Sequence, residues 1–154
     1  MPIAKCLSVS QPFADLIVSG KKTIELRKWN TNFRGEFLIH SPIKIRIRDC
    51  ERLGIDREGL VTGAIIGKAA IYGVKKYGTE KEMRDDIKYH LAPGASSSKY
   101  GFLLKGAKRF SVPIPYKGAL GFFDAALDET VVKDEEITAD LFDEEYRTQW
   151  INHH

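Results

Sequence analysis

The chain has 154 residues, of which 43% are hydrophobic, and a formal net charge of +3. This size and apolar content predict one globular domain with its own core, and no apolar run reaches the roughly 18 residues that a membrane-spanning helix needs. The first residues lead straight into a strand pattern without a signal-peptide layout, so we expect a cytoplasmic protein with no membrane partner. Cys6 and Cys50 are expected to be buried and reduced.

Charge is divided unevenly along the chain. Residues 1–123 contain 22 Lys and Arg against 11 Asp and Glu, whereas residues 124–154 contain two basic and ten acidic side chains. A basic body attracts polyanions, and nucleic acid is the usual one. An acidic tail folded over this body would weaken that attraction. Solubility alone is the alternative explanation for the asymmetry.

Apolar periodicity and turn residues predict a strand-rich chain with short helices between the strands. In the first half of the chain, Ser10 is predicted to cap a helix that ends at Gly20. After Gly20 every second residue is apolar, which is the spacing of a strand. Ile24 and Leu26 then point to the core, and the opposite face carries Thr23, Glu25, Arg27 and Trp29. The elements predicted here are a strand over 5–9, a helix over 10–19, and strands over 23–29 and 36–40.

The second half predicts longer strands. Residues 43–53 fit a strand or a helix, and their ending at Gly54 favours a helix that carries a basic surface. A capping box at 79–82 opens a helix to about residue 91. The remaining predictions are strands over 63–74, 100–111 and 120–127, a flexible loop at 93–98, a rigid turn at 113–118 and an acidic amphipathic helix over 138–151.

Together these elements predict an α+β fold: a small, partly open β-barrel with short helices around it. The domain is predicted to cover 1–127. Residues 128–154 are predicted to form an acidic C-terminal helical extension. The oligomeric state is left open.

Common catalytic and cofactor motifs are absent from the sequence. It contains no P-loop, no GxGxxG, no HExxH and no GxSxG, and its four histidines lack ligand spacing. We therefore expect no cofactor and no metal.

Several polar residues stand near predicted strand ends, where side chains often line a cleft. Trp29 could stack on a base, and Glu25 shares a strand face with Arg27. Each has a plain alternative: a surface ion pair for Glu25 and Arg27, and core positions for Trp29 and His40. The candidates from the residues alone are Lys22, Glu25, Arg27, Trp29, Arg34, His40, Ser41 and Lys117.

The order of short motifs resembles the ASCH domain family. Residues 8–27 follow the pattern S-x-x-Q-P-[aromatic]-A-x-x-I-x-x-G-x-K-x-x-E-x-R, and 34–40 follow R-G-x-x-x-I-H. Residues 113–123 resemble the closing strand region of the family, so the likeness covers roughly 6–123.

The resemblance implies a β-barrel similar to the PUA domain, with a cleft between barrel and first helix. It also implies RNA or nucleotide-like ligands and a role in RNA metabolism or translation-linked regulation. The cleft positions that it transfers to this chain are Gln11, Lys22, Glu25, Arg27, Arg34 and His40.

Some small members of that family are amidohydrolases on N4-acetylcytidine that use a Lys, a Thr and a Glu. Lys22 matches their lysine, but Glu25 stands where their threonine falls, and their distal glutamate would fall near Glu80 or Glu82.

Two main hypotheses follow. The first is an RNA- or nucleotide-binding protein with a polar cleft for a nucleobase or nucleotide, in which basic side chains at 44–57 and 105–109 hold phosphate. The second is a small hydrolase on a modified nucleoside, or a ribonuclease, with Lys22 and Glu25 as the catalytic pair. A third is a protein-interaction module that docks a basic partner through the acidic helix.

Overall fold

Six strands and four short α-helices make up the computed structural model, which describes residues 3–95 and 97–128. A single 3₁₀ turn lies at Arg57–Gly59. The elements in chain order are β1 (Ile3–Ser8), α1 (Phe13–Val18), β2 (Ile24–Arg27), β3 (Gly35–Ser41), α2 (Ile47–Leu53), β4 (Ala64–Lys76), α3 (Glu80–Asp85), α4 (Ile87–His90), β5 (Tyr100–Pro115) and β6 (Phe122–Ala126).

The strands form one mixed sheet in the order β2-β5-β4-β3-β1-β6. β1 and β3 run parallel, and the other neighbours are antiparallel. Among the described residues β2 and β6 do not pair with each other, so the sheet is not closed. The predicted α+β fold with a partly open barrel is confirmed.

Irregular pairing bends the sheet around its core. The β4–β5 ladder shifts register at three places, and the β3–β4 ladder shifts between Ile39 and His40. Such irregularities bend a strand and increase its twist. The bend brings the two free edges close: the ring of Trp29, just after β2, lies 5.7 Å from that of Phe122 at the start of β6. Aromatic side chains therefore bridge the seam that the backbone leaves open.

Helix α1 covers one side of this sheet and packs directly on β4. Its buried side chains share a core cluster with Phe37, Ile39 and Phe102. A Cβ at Gly67 would overlap the Lys108 carbonyl oxygen and the side chain of Val18, so only glycine allows the helix to come this near.

The start of α1 differs from the prediction. Its first helical residue is Phe13, and no side chain at the capping position itself bonds to the helix. The amide of Asp15 instead donates to Oε1 of Gln11 at 2.9 Å. The predicted Ser10 cap is wrong because the longer Gln11 side chain satisfies the free amide in the first turn. The predicted end is confirmed, since Gly20 has a φ of +81°.

Three other predicted boundaries also move. Residues 79–91 form two helices, which break at Asp86, whose carboxylate accepts from Lys75 and Tyr77 at 2.7 Å each. Residues 43–53 are helical only from Ile47, and Ile45 forms an isolated bridge with Gln11. The turn predicted at 113–118 is wrong in its first half, because β5 continues to Pro115.

Both cysteines are buried and free, as predicted. Of the helices described, none is long and apolar enough to cross a membrane. The predicted acidic helix, and the extension beyond Asp128, lie outside the described residues.

Candidate functional site

A cluster of three charged side chains, two of them buried, stands at the start of β2. Glu25 accepts from Arg27 through one oxygen, with Oε2 at 3.0 Å from Nε and 2.8 Å from Nη2. Its other oxygen, Oε1, lies 3.5 Å from Nζ of Lys22. Lys22 is 2% exposed and Glu25 is 7% exposed, so this is no ordinary surface pair. Strand alternation placed the two β2 residues on one face, but it did not show that this face is covered.

The covering comes from a distant part of the chain. Nζ of Lys22 donates to the backbone carbonyl of His90, at the end of α4. His90 is itself fixed, because its Nε2 donates to the Met83 carbonyl at 2.7 Å and its Nδ1 accepts from the Ala92 amide at 3.0 Å. Burial lowers the pKa of His90, which suits this neutral tautomer.

Burial also sets the chemistry of Lys22. Desolvation lowers the pKa of its ammonium below the usual value of 10.5, although Glu25 opposes that shift. The Nζ atom also stands 5.0 Å from the centre of the Phe13 ring. An amine with a lowered pKa, in contact with a carboxylate, can bind an anionic group or exchange a proton.

This shift gives a testable pH dependence of stability. The folded chain releases the Lys22 proton at a lower pH than the unfolded chain, so between the lowered pKa and 10.5 the unfolded state binds more protons. The free energy of unfolding should therefore rise with pH there, relative to a Lys22→Met variant. Urea titrations of both proteins from about pH 7 to about pH 10 measure this difference. A difference that stays constant or falls would contradict the shift.

The cluster forms one wall of a cavity of about 470 Å³, within the range of small-molecule sites. The cavity lies between the end of β1, β2, the start of α2 and the loop after α4. Its charged lining has more cations than acids, and Trp29, 37% exposed, adds an aromatic ring. We call it the first cavity; its charged residues are Lys22, Glu25, Arg27, Lys28, Arg46 and Asp49.

A second cavity of about 710 Å³ shares Ser8, Ser10 and Arg27 with the first. His40 and Lys117 line it. His40 is 1% exposed, and both ring nitrogens are used: Nδ1 lies 3.1 Å from the Ser8 hydroxyl and Nε2 lies 2.7 Å from the Tyr116 carbonyl. Because a carbonyl can only accept, Nε2 carries a proton and donates to Tyr116.

The structure thus does not bring all the candidate residues into one cavity. Lys22, Glu25, Arg27 and Trp29 line the first cavity, and His40 and Lys117 line the second. Gln11 and Arg34 belong to the lining of neither. Gln11 is fully buried and joins α1 to the Val61 carbonyl, and Arg34 donates to the backbone of its own loop at Thr31 and Phe33.

Sequence reasoning did not assign other lining residues to the cleft. Phe13 received no role there, and Arg46 was only one of the basic side chains over 44–57. Gly94, Ala95 and Ser98 fall in the predicted loop over 93–98. The capping motif pointed to α3, but nothing local showed that the loop after α4 would return to Lys22. Glu80 and Glu82, the positions nearest a distal catalytic glutamate, lie on α3 outside the first cavity.

No group of three or more His, Cys, Asp or Glu within residues 3–95 and 97–128 is placed to hold a metal ion. The charged and hydroxyl-bearing residues that line the first cavity are four cations, two carboxylates and three serines.

A mixed, unclosed six-stranded sheet with short helices defines a PUA-like α+β domain. The chain belongs to the ASCH domain family, whose model matches residues 7–114. It is similar to a crystal structure of an ASCH protein from Zymomonas mobilis at 17% identity and a TM-score of 0.55, over 87% of this chain and 97% of that one.

Two point variants of the Zymomonas mobilis protein are similar in the same way. One has 15% identity and a TM-score of 0.52, over 97% of this chain and 94% of that one. The other has 15% identity and a TM-score of 0.50, over 97% of this chain and 96% of that one. No functionally curated protein matches the chain. At these identities the likeness to the solved structures establishes the fold.

Proposed function

We propose that the protein binds RNA or a nucleotide and takes a base with its phosphate into the first cavity. One observation carries this proposal: the cation-rich first cavity has the partly exposed Trp29 in its lining, together with the buried carboxylate of Glu25. That carboxylate contacts two cations, Lys22 and Arg27. A nucleotide combines the three chemistries that such a site complements: a flat ring, base-edge donors and an anion.

Trp29 is the surface on which the base would stack. Its ring packs edge-on against Phe102 at 5.3 Å and Phe122 at 5.7 Å, which fixes its orientation. The Arg27 guanidinium lies 5.9 Å from the ring centre. A fixed aromatic ring beside a guanidinium is a common platform for unpaired bases.

Glu25 supplies the acceptor for the base edge. Both bonds from Arg27 go to Oε2, and Lys22 stands at 3.5 Å from Oε1. Oε1 therefore keeps lone-pair capacity and can accept from a base amino group or ring N–H. The phosphate would meet Arg46 and Lys28, which are exposed at the same cavity.

Charge reversal at Arg46 tests the site. Affinity for short single-stranded RNA should fall steeply with salt, and Arg46→Glu should weaken it about tenfold and reduce the salt slope by about one. Fluorescence anisotropy at several salt concentrations measures both quantities.

The matched control is Arg84→Glu, another exposed arginine, which lies on α3 and outside both cavities. It should leave affinity within about twofold. No binding by the wild type, or binding that does not depend on salt, would refute the proposal.

A hydrolase is a second candidate, supported by the lowered pKa of Lys22 beside Glu25 in the first cavity. A neutral amine there could take a proton from water or from an RNA 2′-hydroxyl. The position of Glu80 and Glu82 outside the cavity gives the acetylcytidine reaction no third residue.

Incubation of the protein with N4-acetylcytidine and with labelled RNA separates the two hydrolase reactions. If the protein converts either substrate, Lys22→Met should reduce the rate of that reaction at least about a hundredfold, because a general base contributes on that scale. Arg84→Glu again serves as the control. Turnover that persists in Lys22→Met would rule out this assignment of the base.

A further inference from the structure

The second cavity adjoins the first at a wall that both share. Ser8, Ser10 and Arg27 line both spaces, so a ligand in the first cavity meets the second one at these three residues. Apart from Arg27, the second cavity has one cationic residue in its lining, the exposed Lys117. The second cavity therefore extends the first one and has fewer charged residues in its lining.

Arg27 is poised to contact an anion at this junction. Its Nε and Nη2 bond to Glu25, and Nη2 also donates to the Ser8 carbonyl at 2.8 Å. Among the described residues, none accepts a hydrogen bond from Nη1. The side chain is 19% exposed. A guanidinium fixed on one side, with donors left on the other, suits a phosphate oxygen.

Most of the remaining lining is apolar or small. Ile43 is 82% exposed and Leu120 is 98% exposed, so both present apolar surface to solvent at this cavity. Tyr116 and Pro42 add flat apolar surface. These side chains suit the face of a base better than a second phosphate.

His40 shapes this cavity and is not free to react. Both of its ring nitrogens are bonded to the protein, to Ser8 and to Tyr116. A Cβ at Gly118 would overlap the His40 ring and the Ser8 hydroxyl, so the 116–121 segment lies directly against them. The wall next to the shared junction is thus built from fixed groups.

We propose that the second cavity is the site for an adjacent nucleotide, so that the ligand is single-stranded RNA of at least two consecutive nucleotides. The first base lies in the first cavity, the linking phosphodiester meets Arg27 at the shared wall, and the next base covers Ile43 and Leu120. This inference rests on the proposed function of the first cavity.

Calorimetric titration of the full chain with 5′-monophosphates and with 5′-phosphorylated dinucleotides of the same base tests it. The dinucleotide should bind at least about tenfold more tightly, since one added base–aromatic or base–apolar contact and one phosphate contact are each of that order. Leu120→Glu should remove most of this gain, because it places a carboxylate where the second base would lie.

The matched control is Val112→Glu, an exposed apolar residue of β5, 70% exposed, that lines neither cavity. It should change dinucleotide affinity by less than about twofold. Equal affinity of the wild type for both ligand lengths would overturn the second site while the proposed function stands. An equal loss for both lengths in Leu120→Glu would also overturn it. Binding of neither ligand would overturn both proposals.

Discussion

Replacing Glu25 by alanine should lower the free energy of unfolding by about 3–5 kcal/mol at neutral pH. The change leaves the ammonium of Lys22, whose side chain is 1% exposed, without a carboxylate, and it also removes the partner of Arg27. Removing one member of a buried ion pair costs this much because the other charge stays buried and uncompensated. Urea unfolding followed by circular dichroism measures the loss.

The matched control is Asp85→Ala. Asp85 pairs with Lys81 at 3.0 Å, but both side chains are more than half exposed, so the loss should stay below about 1 kcal/mol. The double variant Lys22→Met, Glu25→Leu should recover the part of this loss that comes from Lys22, since it replaces the buried pair by apolar groups of similar size. Arg27 still lacks its carboxylate there. Equal losses for Glu25→Ala and Asp85→Ala would show that the cluster is not buried in solution.

Replacing Trp29 by alanine should weaken binding of short single-stranded RNA by about tenfold to a hundredfold. Stacking of a base on an aromatic ring contributes about 1–3 kcal/mol, and Trp29 is the exposed ring at the first cavity. Anisotropy titrations at fixed salt measure the loss. Trp29→Phe keeps a ring against Phe102 and Phe122 and should lose less.

Tyr72→Ala is the control for this prediction. Tyr72 is an exposed aromatic residue, 55% exposed, that lines neither cavity, so its removal should leave affinity within about twofold. If Trp29→Ala binds RNA as tightly as Tyr72→Ala while both remain folded, the stacking role is wrong.

Local patterns predicted which side chains share a strand face better than they predicted how deeply those side chains are buried. The change of period after Gly20 placed Glu25 and Arg27 on one face of β2, and the structure keeps them there. It did not predict that Glu25 would be buried, because the cover comes from His90 and the loop that follows it, 68 positions from Lys22. A contact between residues so far apart in the chain does not change the spacing of apolar residues in either segment.

The wrong boundaries have the same origin. The helix predicted over 79–91 breaks at Asp86, where the carboxylate bonds to Lys75 and Tyr77 at the end of β4 and just after it. The turn predicted from Pro113 is partly strand because β4 offers a partner, with Ile65 opposite Ile114 and Ala64 opposite Pro115. In each case a tertiary contact outweighed the local preference.

The open seam between β2 and β6 has a consequence for how this architecture can vary. Because side chains such as Trp29 and Phe122 bridge the seam, its width depends on residue size and not on a hydrogen-bond register. Substitutions there can resize the first cavity, which Trp29 lines, without shifting any backbone pairing, whereas in a closed barrel the diameter is tied to strand number and stagger. The volume of this cavity can thus change one side chain at a time.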